Sequence, residues 1–366
     1  MDLLELRIGS SFLNTDNYQD IRPLCLNLDP PRAVHHPILH YVVTHMFATL
    51  AAKALFRWRG FRFGTLNGQD YYHKKCQETD RSKCLKPLIF ISGIGIGLIS
   101  YEKLIEALTT DNRDVLLFDL PEISLRWTFG LEHKHVPPLQ TVDTITELVR
   151  ACVKGDQVSV NNLHARASRH VHTSEANLAH RLPLWSHLCC SPLVHSYARP
   201  LTLAHSQGAH AVAHSFGTVV TQWLIRLNAD PIPLISSTTL IDPVCFLLIS
   251  SSVAANFCYR APVTFLDHLV SYFVAREIGV DNALHRHFQW RSNNFDPRLL
   301  PKDCAVVLSE LDAFVPSASV HRHLNSERPD CLVEVLEGHF HSQFQVVPSS
   351  FLKVSNLSKR VDRTYN

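Results

Sequence analysis

The sequence has no excess of charge of either sign, and this absence bears on the class of partner. Its 366 residues include 35 Lys and Arg and 33 Asp and Glu, a formal net charge of +2, with no long basic or acidic run. Proteins that bind nucleic acid rely on clustered cations that neutralise backbone phosphates. We therefore expect no nucleic-acid partner for this protein.

The spacing of a zinc site is also missing, although cysteine and histidine are both frequent. The 10 Cys and 23 His are scattered along the chain without paired Cys-x-x-Cys spacing. Residues 1–7 are acidic and lack the shape of a signal peptide. In a protein that is not secreted, the cysteines are expected to remain reduced thiols. We therefore expect no bound metal and an intracellular protein, either cytoplasmic or membrane-associated.

Hydrophobic residues make up 46% of the chain and charged residues 19%, which suits one large α/β domain with insertions. Short apolar segments alternate with segments of helical spacing. The predicted strands are 87–91, 114–119, 237–243, 304–309 and 331–336, with a possible short strand near Tyr71, and the predicted helices include 101–108 and 141–153. This alternation predicts a mostly parallel sheet with right-handed crossovers, in which ligands bind at the carboxyl ends of the strands.

The most informative stretch, 208–227, reads as a short apolar strand, a sharp turn at Ser215 and an amphipathic helix. Ala213 and Gly217 are small, as the Gly-x-Ser-x-Gly nucleophile elbow requires, with Ala in the first Gly position. An elbow would expose the Ser215 hydroxyl and aim the backbone N–H of Phe216 at a developing oxyanion. A serine that caps a helix N-terminus would produce a similar pattern.

Residues 158–207 interrupt this regular alternation. They are rich in His, Ser, Asn and Arg and show weak periodicity, where a few loop residues would suffice. Two hypotheses explain the segment equally well: a translated retained intron or an irregular surface insertion. It also contains a second elbow-like match around Ser206, but only Ser215 is followed directly by an amphipathic helix.

The order Ser215, Asp312, His341 resembles the α/β-hydrolase superfamily, whose catalytic triad follows the order serine, acid, histidine along the chain. Each of the three residues comes just after a predicted strand. The resemblance covers about 85–350, apart from 158–207. It implies an α/β-hydrolase fold, with a mostly parallel central sheet flanked by helices and a helical cap insertion at 244–300. It also implies a serine esterase or lipase-like activity that needs no cofactor.

The glycine-rich loop 92–97 is similar to the oxyanion loop of this superfamily, with Ser92 in place of the usual histidine. The similarity is closest to uncharacterised eukaryotic members that carry a His-Gly-Ile-Gly-x-Gly loop. It implies that the backbone N–H of Ile94 is the second oxyanion donor, beside that of Phe216. The alternating glycines also admit a dinucleotide-binding loop, although the third Gly of that motif should come one place later.

Alternatives remain open for the acid and for the base. Asp242 ends an earlier strand and is the second candidate for the acid, and Asp312 could instead cap a nearby helix. The superfamily usually sets its histidine about three residues past the Gly that ends the last strand, which favours His341 over His339. Either histidine could instead be a solvated loop residue.

The predicted reaction is hydrolysis of a carboxylic ester through an acyl-enzyme, because Ser needs a neighbouring base to attack a carbonyl. The apolar residues of 244–300 favour an ester with an apolar acyl chain, from a small molecule or a lipid. The competing prediction is a catalytically inactive member of the fold that serves as a binding or scaffold protein. Ser92 and the insertion at 158–207 keep this second possibility open.

The ends of the chain are assigned to segments outside the hydrolase domain: an N-terminal segment, 1–84, and a C-terminal tail, 351–366. The N-terminal segment contains an apolar helix, 37–56, of about membrane-spanning length. Arg57, Arg59 and Arg62 follow it with aromatic residues between them, as at a membrane interface. We expect either a packed helix or a membrane association through 37–63, in which 37–56 spans the bilayer or lies at its interface. The sequence does not indicate an oligomeric state.

Overall fold

The computed structural model describes residues 26–80, 83–125, 136–154, 208–227, 233–250, 252–290 and 292–362. The segment 158–207, with its retained-intron hypothesis and the second elbow match at Ser206, lies outside the described residues. The seven described ranges contain the predicted strands, the predicted cap apart from residues 251 and 291, and all the candidate catalytic residues.

An eight-stranded sheet forms the centre of the molecule, with the strand order β1-β2-β4-β3-β5-β6-β7-β8. The strands are β1 Arg62–Leu66, β2 Gln69–Lys74, β3 Leu85–Ile91, β4 Arg113–Asp119, β5 Ala209–His214, β6 Ile235–Ile241, β7 Asp303–Ser309 and β8 Leu332–Leu336. β1 and β2 are antiparallel to their neighbours, and all other pairs are parallel. The predicted mostly parallel sheet is thereby confirmed.

Helices cover both faces of this sheet. They are α1 Ile38–Trp58, α2 Glu102–Leu108, α3 Pro138–Lys154, α4 Gly217–Leu227, α5 Ser252–Ala254, α6 Phe265–Val270, α7 Ile278–Asn282, α8 Ser317–Glu327 and α9 Pro348–Val361. The π-helical segments Ala255–Tyr259, Ser271–Ala275 and Ala283–His287 extend α5, α6 and α7. Every residue of β4 and β5 is buried, because helices cover both sides of the sheet.

The N-terminal segment contributes two strands to the sheet, so the expected boundary at residue 84 does not separate it from the fold. The sequence predicts only a short strand near Tyr71, and β1 begins at Arg62, within the stretch interpreted as an interfacial flank. Gly64 of β1 is opposite Tyr71, and a Cβ on Gly64 would lie 2.6 Å from the tyrosine ring. Glycine weakens the strand signal in a sequence. At this position it is needed because the ring occupies the space.

The C-terminal tail, expected at 351–366, is mostly the helix α9. Its buried side chains follow helical spacing, but several of them are serines: Ser350, Val354, Ser355, Leu357, Ser358 and Val361. Ser358 is paired across the interface, since its hydroxyl lies 2.8 Å from His210 Nε2 in β5. Because serine contributes little to an apolar stripe, the sequence lacks the hydrophobic periodicity that would have predicted this helix.

A buried cluster of charges holds the end of α9 against the sheet. Arg113 Nη1 lies 2.7 Å from Asp362 Oδ2, and Lys86 Nζ lies 3.1 Å from Asp362 Oδ1. The side chains of Lys86, Arg113 and Asp362 are 6%, 1% and 1% exposed. Arg113 also donates two hydrogen bonds to the carbonyl of Lys86. The cluster therefore joins the first residues of β3 and β4 to the residue that follows α9.

Asp362→Ala is expected to lower the free energy of unfolding by about 3–5 kcal/mol, because it leaves two buried cations without their carboxylate. The matched control is Asp111→Ala. Asp111 also pairs with a lysine, Lys74, at 2.9 Å, but its side chain is 71% exposed. The control should lose less than about 1 kcal/mol. Urea unfolding of the three proteins measures both values, and equal losses would contradict the prediction.

Candidate active site

Ser215 occupies the turn between β5 and α4. Its φ is +50°, in the left-handed region that a residue with a side chain rarely adopts. The turn is held by the Ser215 amide, which donates to the carbonyl of Ile241 at 3.0 Å, and by the Thr218 amide, which donates back to the Ser215 carbonyl. Backbone strain that the surroundings hold in place is typical of functional sites.

The small size of Gly217, two residues after Ser215, has a steric reason. A Cβ on Gly217 would lie 2.4 Å from the carbonyl oxygen of Ile91 and 2.7 Å from that of Ser92. Since these are backbone atoms, no side-chain movement could relieve the contact. Ala213 is fully buried. The elbow thus packs against the end of β3, which explains the spacing seen in the sequence.

The structure brings together Ser215, His341 and Asp312, which follow three different strands. The Ser215 hydroxyl lies 3.0 Å from His341 Nε2, and His341 Nδ1 lies 2.6 Å from Asp312 Oδ2. The other carboxylate oxygen of Asp312 accepts from the amides of Phe314 and Val315 at 2.8 and 2.9 Å. These bonds orient the carboxylate, so His341 can hold its proton on Nδ1 and accept one on Nε2.

Two opposing effects act on the pKa of His341. Burial alone lowers it, since a charged imidazole loses its hydration. The attraction and hydrogen bond of Asp312, with a smaller attraction from Asp242, outweigh burial and raise the pKa above its usual value. The imidazolium that forms when His341 takes a proton from Ser215 is therefore stabilised.

His339, the alternative base, points away from Ser215. Its Nε2 lies 2.6 Å from the Ser350 hydroxyl, and its Nδ1 lies 2.8 Å from the carbonyl of Glu337. Both ring nitrogens are thus occupied by the loop and by α9. His339 ties the loop after β8 to the C-terminal helix.

Asp242, the alternative acid, supports the loops around the site. One of its carboxylate oxygens accepts from the Ser309 amide at 2.7 Å, and the other accepts from the Ser309 hydroxyl and from the Ser342 amide. Ser342 directly follows His341, and Asp242 is fully buried. Asp242 therefore connects the carboxyl ends of β6 and β7 to the loop that carries His341.

A buried network beside the nucleophile was missed by the sequence analysis. The Gly93 amide donates to Tyr101 Oη at 3.0 Å, and Tyr101 Oη lies 2.7 Å from His214 Nδ1. His214 Nε2 lies 3.2 Å from the Ser342 hydroxyl. Burial raises the pKa of Tyr101 and lowers that of His214, so both stay neutral, and we assign the tyrosine as the donor to Nδ1. The histidine before Ser215 was the signal in the sequence.

This network fixes the loop that carries Ile94. The Gly93 amide is held by Tyr101, and the Gly95 amide donates to the carbonyl of Ile123 at 3.1 Å. Within the described residues, the amides of Ile94 and Phe216 have no protein acceptor. Both belong to residues that line the cleft at Ser215. Neither N–H group is therefore engaged by another described residue.

The glycine loop lies close to the nucleophile. A Cβ on Gly93 would lie 2.9 Å from the Cβ of Ser215, and one on Gly97 would lie 2.7 Å from Asp119 Oδ2. These glycines therefore let the loop approach the elbow and the end of β4. This packing explains why glycines occur at these positions without a dinucleotide-binding loop.

The cleft in front of Ser215 is largely apolar and contains about 420 Å³ of empty space, including its open mouth. Besides Ser215 and His341, its lining consists of Ile94, Phe216, Val244, Leu248, Val253, Phe257, Leu284, Phe288, Trp290 and Phe314. Seven of these residues belong to the predicted cap at 244–300. The cap thus forms one wall of the cleft.

Two groups of side chains within the described residues could offer ligand atoms to a metal ion. One consists of His214, Asp242 and His341, and the other of His73, Asp114 and Cys152. In the first group, His341 already bonds to Ser215 and Asp312. In the second, His73 Nε2 lies 2.9 Å from Asp114 Oδ1. Hydrogen bonds between the side chains account for these contacts in both groups.

Comparison with solved structures finds the same fold in esterases of low sequence identity. An esterase from the fungus Rhizomucor miehei superposes with a TM-score of 0.51 at 14% identity, over 94% of this chain and 97% of that chain. A double mutant of the esterase rPPE gives 0.51 at 12% identity, over 92% of each chain. No profile of a known protein family and no curated protein matches the sequence. The expected α/β-hydrolase fold is confirmed.

Proposed function

We propose that this protein is a serine hydrolase that cleaves a carboxylic ester with an apolar acyl chain and needs no cofactor. The observation that carries the proposal is the chain of hydrogen bonds from Ser215 through His341 to Asp312, which begins in an apolar cleft. The fold by itself does not establish an activity, since one fold serves many functions. The proposal therefore rests on the groups around Ser215.

In the first half of the reaction, His341 Nε2 accepts the proton of the Ser215 hydroxyl as Oγ attacks the ester carbonyl. The carbonyl oxygen becomes an oxyanion, for which the amides of Ile94 and Phe216 are the available donors. Each such donor is worth about 3 kcal/mol of transition-state stabilisation. His341 then gives its proton to the alcohol as the ester C–O bond breaks, and the acyl group stays on Ser215.

In the second half, a water molecule gives a proton to His341 and attacks the acyl carbonyl. The second tetrahedral intermediate collapses, the proton returns to Ser215 and the carboxylic acid leaves. Asp312 stays ionised throughout, because its role is to orient the imidazole and stabilise the imidazolium. The apolar lining of the cleft favours an acyl chain of several carbons over a charged one.

A fluorophosphonate probe tests the proposal, because it reacts much faster with an activated serine than with an ordinary one. We expect the folded wild-type protein to be labelled at Ser215 and the Ser215→Ala variant to remain unlabelled. Ser206→Ala is the matched control, since it removes the serine of the second elbow match, and it should keep full labelling. Mass spectrometry of the labelled peptide identifies the modified residue.

Hydrolysis of 4-nitrophenyl esters distinguishes the proposed ester hydrolase from an inactive binding protein. The wild type should cleave an octanoate ester with a higher kcat/KM than an acetate ester, because the longer chain fills the apolar cleft. Labelling without turnover of any ester would exclude the proposed reaction. Absence of both labelling and turnover in folded protein would favour the scaffold function instead.

A further inference from the structure

The helix α1 exposes an apolar face that no described residue covers. A narrow stripe consisting of Thr44, Ala48, Ala52 and Phe56 packs against the protein. On the other side, large apolar side chains are 38% to 71% exposed: Ile38, Leu39, Val42, Val43, Met46, Phe47 and Leu50. A soluble protein rarely leaves so many neighbouring apolar side chains in water without a use for them.

At the N-terminal end of α1, the cap packs beside the helix and extends its exposed apolar surface. His36 Nε2 bonds to the carbonyl of Tyr272 at 2.6 Å, and the His40 ring packs on Phe273 at 5.3 Å between centroids. The helix α6 and its extension expose four more large side chains, Phe265, Leu269, Tyr272 and Phe273. We call the exposed residues of α1 and these four residues the apolar face.

The charged residues of α1 and its flanks in the sequence are all basic, although Arg59 is paired with Glu102 and Glu106 of α2. No Asp or Glu occurs in residues 30–69, which contain Arg32, Lys53, Arg57, Arg59 and Arg62. The side chains of Arg57 and Arg62 are exposed at the C-terminal end of the helix, beside Trp58, which is 80% exposed. Exposed cations attract anionic lipid headgroups, and tryptophan favours the boundary between headgroups and acyl chains.

The packing of α1 favours a position on a membrane over one across it. Ile38–Trp58 is the one helix in the described part of the chain that is long and apolar enough to cross a bilayer. Phe56, however, is fully buried and packs on Tyr72 of β2 at 5.1 Å between ring centroids. A spanning helix would have to leave this core.

We infer that the apolar face docks the protein on the surface of an anionic membrane, with α1 parallel to the bilayer plane. The apolar side chains enter the outer part of the acyl region, and Arg57 and Arg62 contact the headgroups. Docking places the cap against the lipid. Phe257 and Phe314 line both the cleft at Ser215 and a second gap beside α6. If Ser215 is the nucleophile, as proposed above, this placement favours a lipid ester as the substrate class.

The docking is tested with full-length protein by flotation with phosphatidylcholine vesicles that contain or lack phosphatidylserine. Wild-type protein should bind the anionic vesicles at least about tenfold more strongly, and high salt should weaken the binding. The double variant Phe47→Glu, Leu50→Glu should lose this binding by about tenfold or more, because two carboxylates cannot enter the acyl region. The binding assay does not depend on hydrolysis, so failure of the proposed function leaves it interpretable.

The control for this experiment is Leu352→Glu, which places a carboxylate at a position on α9 that is 50% exposed and does not belong to the apolar face. It should bind like the wild type, and thermal unfolding should show that all variants are folded. Binding that survives the double variant would overturn the inference, as would no binding to either vesicle. Resistance to alkaline carbonate extraction would instead indicate a spanning helix. A dimer that the double variant dissociates would identify a second copy as the occupant.

Discussion

Replacement of His341 by alanine should lower kcat for ester hydrolysis by about 10⁴-fold to 10⁶-fold, while His339→Ala should change it less than about tenfold. His341 is the one of the two whose Nε2 reaches the Ser215 hydroxyl, at 3.0 Å. His339 is bound to Ser350 and to the Glu337 carbonyl. Its loss therefore removes one hydrogen bond from α9 and leaves the proton acceptor of Ser215 in place.

Steady-state kinetics on one ester, with active-site titration by the fluorophosphonate probe, measures both effects. His341→Ala should also slow probe labelling, because Ser215 loses its base. A circular dichroism spectrum should be unchanged in both variants. If His339→Ala were the inactive variant and His341→Ala kept its activity, the assignment of the base would be reversed.

Replacement of Asp312 by asparagine should lower kcat by about 10⁴-fold with little change in stability. The asparagine oxygen can still accept from the amides of Phe314 and Val315, but its NH₂ group then faces His341 Nδ1. The histidine proton must move to Nε2, where it blocks the acceptor for the Ser215 proton. The acid limb of the pH–kcat/KM profile should also shift to lower pH. Asp312 raises the pKa of His341 against the effect of burial, and the neutral form is the active one.

Asp242→Asn is the control for Asp312→Asn, because it makes the same substitution at a carboxylate that holds the loops around the site. Asp242 accepts three hydrogen bonds, from the Ser309 amide, the Ser309 hydroxyl and the Ser342 amide. An NH₂ group would face at least one of these donors, so the free energy of unfolding should fall by about 1–3 kcal/mol. The shift of the acid limb should be smaller than in Asp312→Asn. A larger shift in Asp242→Asn would identify Asp242 as the acid.

The fold and the elbow could be predicted from sequence because their signals are local. β3 to β8 read as short apolar runs, and a turn of this geometry admits only small residues at positions 213 and 217. The order of the three candidate residues along the chain then suggested a shared site at the ends of the strands. Whether His339 or His341 faces Ser215 depended on the path of one loop, which periodicity does not encode.

The elements that sequence analysis missed are stabilised by tertiary contacts. β1 contains Gly64, which is needed because a side chain at this position would clash with the ring of Tyr71. α9 buries three serines, one of which pairs with His210. The link from Gly93 through Tyr101 to His214 joins residues that are far apart in sequence. In each case the partner decides the role of the residue, and the partner is not adjacent in the chain.

The segment 155–207 is joined to the described fold at the end of α3 and at the start of β5. α3 ends at Lys154 and β5 begins at Ala209, whereas Ser215 follows the other end of β5. A strand of this length separates its two ends by roughly 20 Å. Residues added or lost between Lys154 and Ala209 therefore join the fold at the end of β5 opposite Ser215, away from the reactive edge of the sheet.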